Sequence, residues 1–319
     1  MKAKLLIILI AVLAAASNLH AVATTVGDIL DVVVGGRAAG MAGAYTAAGN
    51  DVESAIYNPA GIEEITKKQI QYMYWISYAD VGVNNVSYAQ PLENFIVDGN
   101  VALSGVYRNM PLISNENAVD QPVNYYDFVL DGTYANKLSY FLPGEFYKNF
   151  NVGMNLKIIY ENIGIYPLTA YAVDLGTQFT PPDSNFRLGA VIQNLGFPVK
   201  VINDQEPLPL TLRAGASYKI EFQKNNQLLI DVDYIQDFYD SGQIAIGFEE
   251  MMAKMFYIRA GYDQNMDFKS ASYISLGLGI SISQFQIATF SVNYDYRPVL
   301  WNGFTLFDST HVLSLEIQI

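Results

Sequence analysis

The sequence predicts an all-β fold: a transmembrane antiparallel β-barrel of about 14 strands, with an N-terminal hatch (a plug segment) in its lumen. Three observations carry that expectation. The N-terminus has the layout of an export signal. From about Lys68 onward, apolar residues alternate with small or polar ones. The connections between alternating segments are long on one side and mostly short on the other.

Met1-Lys2-Ala3-Lys4 is a positive start, Leu5 to Ala16 is apolar, and Ser17-Asn18 turns polar. That is the order of a secretory leader. Ala21-Val22-Ala23 is an A-x-A cleavage site, with Leu19-His20-Ala21 a weaker one just upstream. A membrane-anchoring helix needs about twenty apolar residues, and this run is shorter. The expected division is therefore a signal peptide over 1–23, a hatch over 24–67 and a barrel over 68–319. The chain has no cysteine. It lacks the attachment residue of a lipoprotein, any disulfide framework and any thiolate metal site.

Hydrophobic residues make up 51% of the chain and charged ones only 15%, yet no run after the leader approaches a helical span. Hydrophobicity without apolar runs has been distributed by alternation, which lets a strand face lipid on one side and a polar lumen on the other. The formal charge is −13, and losing Lys2 and Lys4 makes the mature chain more acidic still. Nucleic acid requires clustered Lys and Arg, so it is excluded as a partner. A pore selective for anions is disfavoured too.

The alternation is regular. Ile70, Tyr72, Tyr74, Ile76 and Tyr78 interleave with Gln71, Met73, Trp75 and Ser77. Val152 to Tyr160 interleave with Asn151, Gly153, Asn155 and Lys157; Leu228 to Tyr234 interleave with Leu229, Asp231 and Asp233. Similar segments are expected near 69–79, 82–90, 99–108, 123–136, 150–161, 168–180, 185–194, 209–220, 226–236, 242–249, 254–263, 271–282, 285–296 and 310–319. The connections Asn109–Pro122, Leu195–Leu208 and Arg297–Ser309 are long and open on one side. Pro181–Ser184, Glu221–Asn225 and Ser283-Gln284 are short and lie on the other. Lys137–Asn149 breaks the pattern, being long on the short-turn side. The last strand, His311 to Ile319, alternates throughout, as a closing strand should when an open edge in lipid is forbidden. A soluble β-sandwich of this length would split into two domains with a linker between them, and no linker is visible.

Residues 24–67 do not alternate. Val32 to Gly40 begins like a strand entering a dinucleotide-binding turn, but Arg37 stands where the second glycine must admit a pyrophosphate. Gly40 to Gly49 is nearly all small residues, suited to close packing inside a lumen. Asn58 can cap and Pro59 can open a short helix over Ala60–Ile65.

Gly36-Arg37-Ala38-Ala39-Gly40-Met41-Ala42-Gly43-Ala44-Tyr45-Thr46-Ala47, with Asn50-Asp51-Val52-Glu53-Ser54-Ala55-Ile56-Tyr57-Asn58-Pro59-Ala60-Gly61, closely resembles the N-terminal region of the FadL/PorV superfamily of outer-membrane β-barrels. Leu188 to Gly196 and Pro207 to Tyr218 resemble its PorV/PorQ branch. The resemblance implies a fourteen-stranded barrel with a lumenal hatch, whose matching positions are Gly36, Arg37, Gly40, Gly43, Asp51, Asn58, Pro59 and Ala60. It also implies one of two activities. FadL-like members pass hydrophobic molecules such as long-chain fatty acids inward past the hatch. PorV-like members serve a protein secretion and surface-attachment system.

Catalysis is not expected. His311 is the one histidine left after the leader, so a Ser/His/Asp triad or a histidine metal site lacks its parts. Asp231 and Asp233 read as a solvated pair in an acidic lumen. No cofactor or metal is expected. The expected partners are outer-membrane lipid, a hydrophobic small-molecule ligand, the barrel-assembly machinery during insertion and, on the alternative reading, secretion-system proteins. A ligand site between hatch and wall would be lined by Met41, Tyr45, Ile56 and Tyr57, with Arg37 placed either for a ligand carboxylate or for a buried bond to a lumenal Asp. Trp75, Ile159, Leu229 and Phe285 supply apolar surface on the otherwise polar face. The secretion alternative would use the apolar loop residues Leu112, Ile113, Trp301, Phe304 and Phe307.

Overall fold

Alternation closes into a wall. The computed structural model of the chain describes residues 25–76, 81–92, 97–110, 125–163, 166–223, 225–266, 272–284, 288–301, 304–305 and 309–319. The leader 1–23 and Leu112, Ile113, Phe285 and Phe307 lie outside them; of Trp301 and Phe304 only the backbone pairing is described. Fourteen antiparallel strands form the barrel. They are β1 Gln69–Ile76, β2 Gly82–Pro91, β3 Asn100–Met110, β4 Tyr125–Lys137, β5 Phe150–Ile163, β6 Tyr166–Phe179 and β7 Phe186–Gly196. The second half is β8 Thr211–Gln223, β9 Asn226–Asp237, β10 Gln243–Met252, β11 Phe256–Asn265, β12 Ser272–Gln284, β13 Ala288–Arg297 and β14 Thr310–Gln318. Each pairs with its neighbours in chain order, and β14 closes on β1 from Gln69↔Gln318 to Ile76↔His311. Closure leaves no edge whose N–H and C=O groups would face lipid unpaired.

Side chains separate as the period of two requires. On β1, Gln69, Gln71 and Met73 are buried while Ile70, Tyr72, Tyr74 and Ile76 are exposed on the outside. Leu103, Leu156, Leu276 and Leu278 show more than half of their surface outward. Such a continuous apolar belt is unsuited to water and suited to hydrocarbon.

Three connections are more ordered than alternation could show. The stretch from 195 to 208 contains a hairpin, Val199–Val201 with Asp204–Glu206. Val299–Trp301 extends the sheet by pairing Val299 with Tyr273. Lys137–Asn149 folds into two single turns, Leu138–Phe141 and Glu145–Asn149. Strands β5 and β6 run past their expected ends because backbone pairing continues through Asn162↔Pro167 after the side-chain pattern stops.

Residues 25–67 lie inside the ring of strands and touch it around most of its circumference. Gly36 sits against Ser314 of β14 and Asn293 of β13, and Gly40 against Arg259 of β11 and Gly277 of β12. Met41 packs on Gly247 and Gly261, Thr46 on Gly189 and Gly215, and Pro59 on Gly153 and Gly176. On β3, Asn100 Nδ2 donates to the carbonyls of Ile62 and Ile65 at 2.6 and 2.8 Å. The expected helix over Ala60–Ile65 is a 3-10 helix over Pro59–Glu64, opened as anticipated by Asn58, whose Oδ1 accepts from Ala60 N at 3.2 Å. The inward glycines of the wall are thus explained by close approach. A Cβ at Gly153 would lie 2.5 Å from Ala60 N, and one at Gly247 would lie 2.7 Å from Met41 Cβ.

Gly153→Val is therefore expected to displace the segment at the cost of overpacking, about 1–3 kcal/mol. Gly132, which faces outward with nothing within 4 Å of its missing Cβ, provides the control. The temperature at which the compact gel band converts to the unfolded one should fall for Gly153→Val and hold for Gly132→Val; equal shifts would refute the close approach.

Candidate functional site

Two features dominate the lumen: a polar latch that holds the N-terminal segment, and an apolar surface beside it. The latch centres on Glu249, an inward side chain of β10. Arg37 grips its carboxylate with Nε and Nη2, both at 2.8 Å, and Arg259 of β11 donates to it at 2.7 Å. Arg37 Nη1 reaches Asp51 at 2.9 Å, Tyr45 Oη at 3.0 Å and Asn50 at 2.7 Å. Burial opposes the charge of Arg37, but Glu249 foremost, with Asp51, more than compensates and holds its pKa above the ordinary value.

A second carboxylate organises the segment itself. Glu53 accepts from Arg37 N at 3.2 Å and Ala38 N at 2.9 Å, so it caps the short helix Gly36–Gly40, whose own N-cap Gly35 has no side chain to do so. Gln71 of β1 donates to the same carboxylate. Burial pushes Glu53 up to about 8, with Asp51 adding to it and the capped N–H groups opposing. Gly35 has φ +94°, and any side chain there would collide with Glu53.

Asp231 and Asp233 correct the sequence reading. They are not a solvated pair; both are fully buried. Asp233 Oδ2 accepts from Tyr45 N and Thr46 N at 3.0 Å each, from Thr46 Oγ1 at 2.6 Å, and pairs with Arg213 at 3.1 Å. Asp231 accepts from Ala48 N at 2.9 Å. The chain pattern showed the shared face but not the irregular backbone laid over it.

The apolar surface follows one row of cross-strand neighbours. Met73 of β1 lies beside Asn85, then Val106, Val129, Ile159 and Ala170 on β3 to β6. Val26, Ile29 and Val34 of the segment pack into this cluster, and Leu30, Val32, Val33, Ile56 and Trp75 border it only partly buried. Ile159 and Trp75 hold the inward positions expected of them, and Leu229 packs on Met41, Tyr45 and Tyr57 instead. The adjoining row is polar: Arg108, Asp127 and Glu161 follow one another across β3, β4 and β5. Arg108 bonds Asp127 and, at 2.5 Å, Asp28, while Glu161 accepts from Gly27 N at 2.9 Å. The oxygens of Asp28, Asp127 and Glu161 come within 4.8 Å of one another, and Arg108 already bonds two of the three carboxylates.

The residues singled out beforehand are brought together in part. Gly36, Gly40, Gly43, Asp51, Asn58, Pro59 and Ala60 are all buried, and Asn58 Nδ2 ties Thr46 O at 2.9 Å. Met41 and Tyr45 have no exposed surface, and Tyr45 meets Tyr57 edge-on at 5.4 Å. Tyr57 Oη both accepts from Val34 N and donates to Val34 O. Of the expected ligand set only Ile56 borders the apolar row. Arg37 takes the bond to protein carboxylates rather than a free position. Glu249 and Glu53 were missed, because a carboxylate spaced by period two looks the same whether it is solvated or bridging.

Asp31 differs from the rest. It keeps part of its surface open, yet the protein packed around its carboxyl pushes it up to about 7, with Asp237 and Asp28 adding to the effect and Lys157 opposing.

No protein-family model and no curated protein sequence matches the chain. Its fold is similar to solved structures at low identity. The CymD monoaromatic hydrocarbon channel is 14% identical, covering 89% of this chain and 97% of that one, with a TM-score of 0.59. A Pseudomonas aeruginosa FadL homologue is 12% identical over 89% and 98%, and the Pseudomonas putida toluene transporter TodX 10% identical over 89% and 97%, each with a TM-score of 0.57. The fold is thus that of the FadL-type hydrocarbon channels.

Removing Glu249 takes the carboxylate from Arg259 and leaves Arg37 with Asp51 alone. Glu249→Ala is expected to destabilise by about 3–5 kcal/mol, read as a lower midpoint in thermal circular dichroism in detergent; Glu249→Gln should fall between it and the wild type. An unchanged midpoint for Glu249→Ala would discount the latch.

The pH dependence of docking has a definite sign. A carboxyl raised from 3.8 to about 7 when docked holds its proton more tightly in that state, so docking is strongest below the ordinary value and weakens as pH rises towards 7. Single-channel openings in planar bilayers should become more frequent from about pH 5 to pH 8, with a shallower slope for Asp31→Asn. An identical slope in the variant removes Asp31 from the effect.

Proposed function

We propose that this protein is an outer-membrane channel for passive uptake of hydrophobic small molecules, with residues 24–67 acting as a hatch that the molecule must pass. The observation that carries the reading is the apolar row from Met73 to Ala170 inside a lumen otherwise lined by polar side chains. A water-filled pore has no use for it. A hydrocarbon gains about 25 cal/mol for each Å² of apolar surface kept from water, so Leu30, Val32, Val33, Ile56 and Trp75, partly open beside the row, offer a resting place.

Neutral ligands fit better than fatty acids. A carboxylate would require a cation beside the apolar row, and there Arg108 and Lys157 each already hold a carboxylate of this chain, as Arg37 and Arg213 do across the lumen. The fold neighbours named for monoaromatic hydrocarbons and toluene belong to the ligand class that this lining suits. The hatch is fastened by contacts with the wall on many sides, so passage requires local movement of the segment; Asp31 and Glu53 bias that movement. The secretion alternative rested on Leu112, Ile113, Trp301, Phe304 and Phe307, whose side chains lie outside what the structure describes.

Uptake of labelled toluene and of labelled oleate into cells of a host without such channels tests the proposal. The wild type should give saturable toluene uptake above its oleate uptake. Trp75→Ala and Ile159→Ser, milder than a buried charge, should each reduce it severalfold without altering barrel yield. Absence of saturable uptake for both molecules would overturn the channel reading, and oleate uptake exceeding toluene would overturn the preference for neutral ligands.

A further inference from the structure

The connection between β4 and β5 is, among the described residues, the long excursion on the short-turn rim, and its composition is unusual for an exposed loop. Tyr140, Phe141, Leu142 and Phe146 each expose close to half of their surface. Two single turns hold them in place: Leu142 N bonds Leu138 O at 3.0 Å, and Tyr147 N bonds Gly144 O at 3.1 Å. Asn149 O is tied to Thr180 N of the neighbouring turn at 3.0 Å. The segment is folded, not loose, and it is folded with its apolar side chains outward.

Its apolar face continues a surface that already meets lipid. Phe150 and Phe179 are cross-strand partners at the rim end of β5 and β6. Their neighbours Asn151 and Gln178 are buried towards the lumen, so period two places both phenylalanines on the outside. Their rings lie 4.5 Å apart, and Phe146 packs on both, at 5.2 and 6.2 Å. Tyr140 and Phe141 meet edge-on at 5.1 Å further along. Glu145 and Lys148 pair with each other at 2.7 Å, so the segment brings charge only as a neutral, solvated pair.

We propose that residues 138–149 form an interfacial anchor that lies along the phospholipid leaflet at the inner rim of the barrel. Aromatic side chains favour the headgroup–acyl boundary, where ring and hydroxyl are both satisfied. A short segment with one apolar face lies in that boundary without crossing it. Here the anchor is welded to the wall through Phe146, so it fixes the depth of the barrel on the β4–β6 side. A second copy or a soluble protein would cover the same side chains, but neither would explain their continuity with the lipid-facing pair. The proposal rests on the barrel lying in a membrane at this rim, not on what passes through its lumen.

The absence of cysteine makes single nitroxide labels simple to place. Phe141→Cys and Tyr140→Cys, labelled and reconstituted in vesicles of phosphatidylethanolamine and phosphatidylglycerol, are compared by electron paramagnetic resonance with Asn185→Cys, exposed on a short turn of the same rim, and Leu156→Cys in the lipid-facing belt. Labels at 140 and 141 should collide with oxygen more than with a water-soluble nickel chelate, as at 156, with the ratio reversed at 185. Chelate-dominated labels at 140 and 141 would overturn the anchor, as would labels shielded from both reagents, which signify a protein partner. A chelate-dominated label at 156 would overturn the membrane placement and the anchor together.

Discussion

An irregular segment shut inside a barrel has backbone groups that neither water nor a neighbouring strand can satisfy, and the rest of this structure is arranged around supplying them. The wall provides partners strand by strand. Asp233 and Asp231 accept from the N–H groups of Tyr45, Thr46 and Ala48. Gln69 accepts from Val52 N at 2.8 Å, and Gln178, Gln193 and Asn100 donate to the carbonyls of Gly49, Ile56 and Ile62. Arg213 donates to Gly43 O at 2.5 Å. Each of these side chains would otherwise be a buried polar group without purpose, and each backbone group an unpaired one. The inward glycines belong to the same arrangement, since a backbone can only be reached if it is allowed to come close.

The latch around Glu249 differs in kind. It joins two positive charges and one negative charge at the centre, with Asp51 completing the balance. Such a cluster adds little net stability over a well-packed apolar core, but losing one member is costly because the others stay buried. That asymmetry suits a part that must hold one docked position. The wall side of this latch sits on β10 and β11, whereas the apolar row occupies β1 to β6 beside the ion pairs of Arg108 and Lys157.

Fold similarity at so low an identity argues only for the shape of the wall. Function has to be read from the site, and here the site is the contrast between an apolar row and a lumen lined largely by polar side chains. The same logic extends to the outer surface. A barrel is positioned in its membrane by the side chains at its rims, and the excursion between β4 and β5 adds folded apolar surface to the short-turn rim beyond the strands themselves.

Much of the wall was legible in the sequence. A strand has a period of two whatever surrounds it, so the alternation of Ile70 to Ile76 with Gln71 to Trp75 could be read without knowing the neighbours, and fourteen segments with their approximate ends followed. Asn58 and Pro59 announced their turn because capping is a local interaction. The content of the lumen was not legible. Whether Asp231 and Asp233 meet water or a backbone N–H, whether Arg37 faces a ligand or Glu249 more than two hundred residues away, and why the inward face carries glycine at 153, 176 and 247 are all decided by what lies across the barrel. Local sequence records which face a residue takes; the partner on that face is set by closure, which brings together positions that no short-range pattern relates.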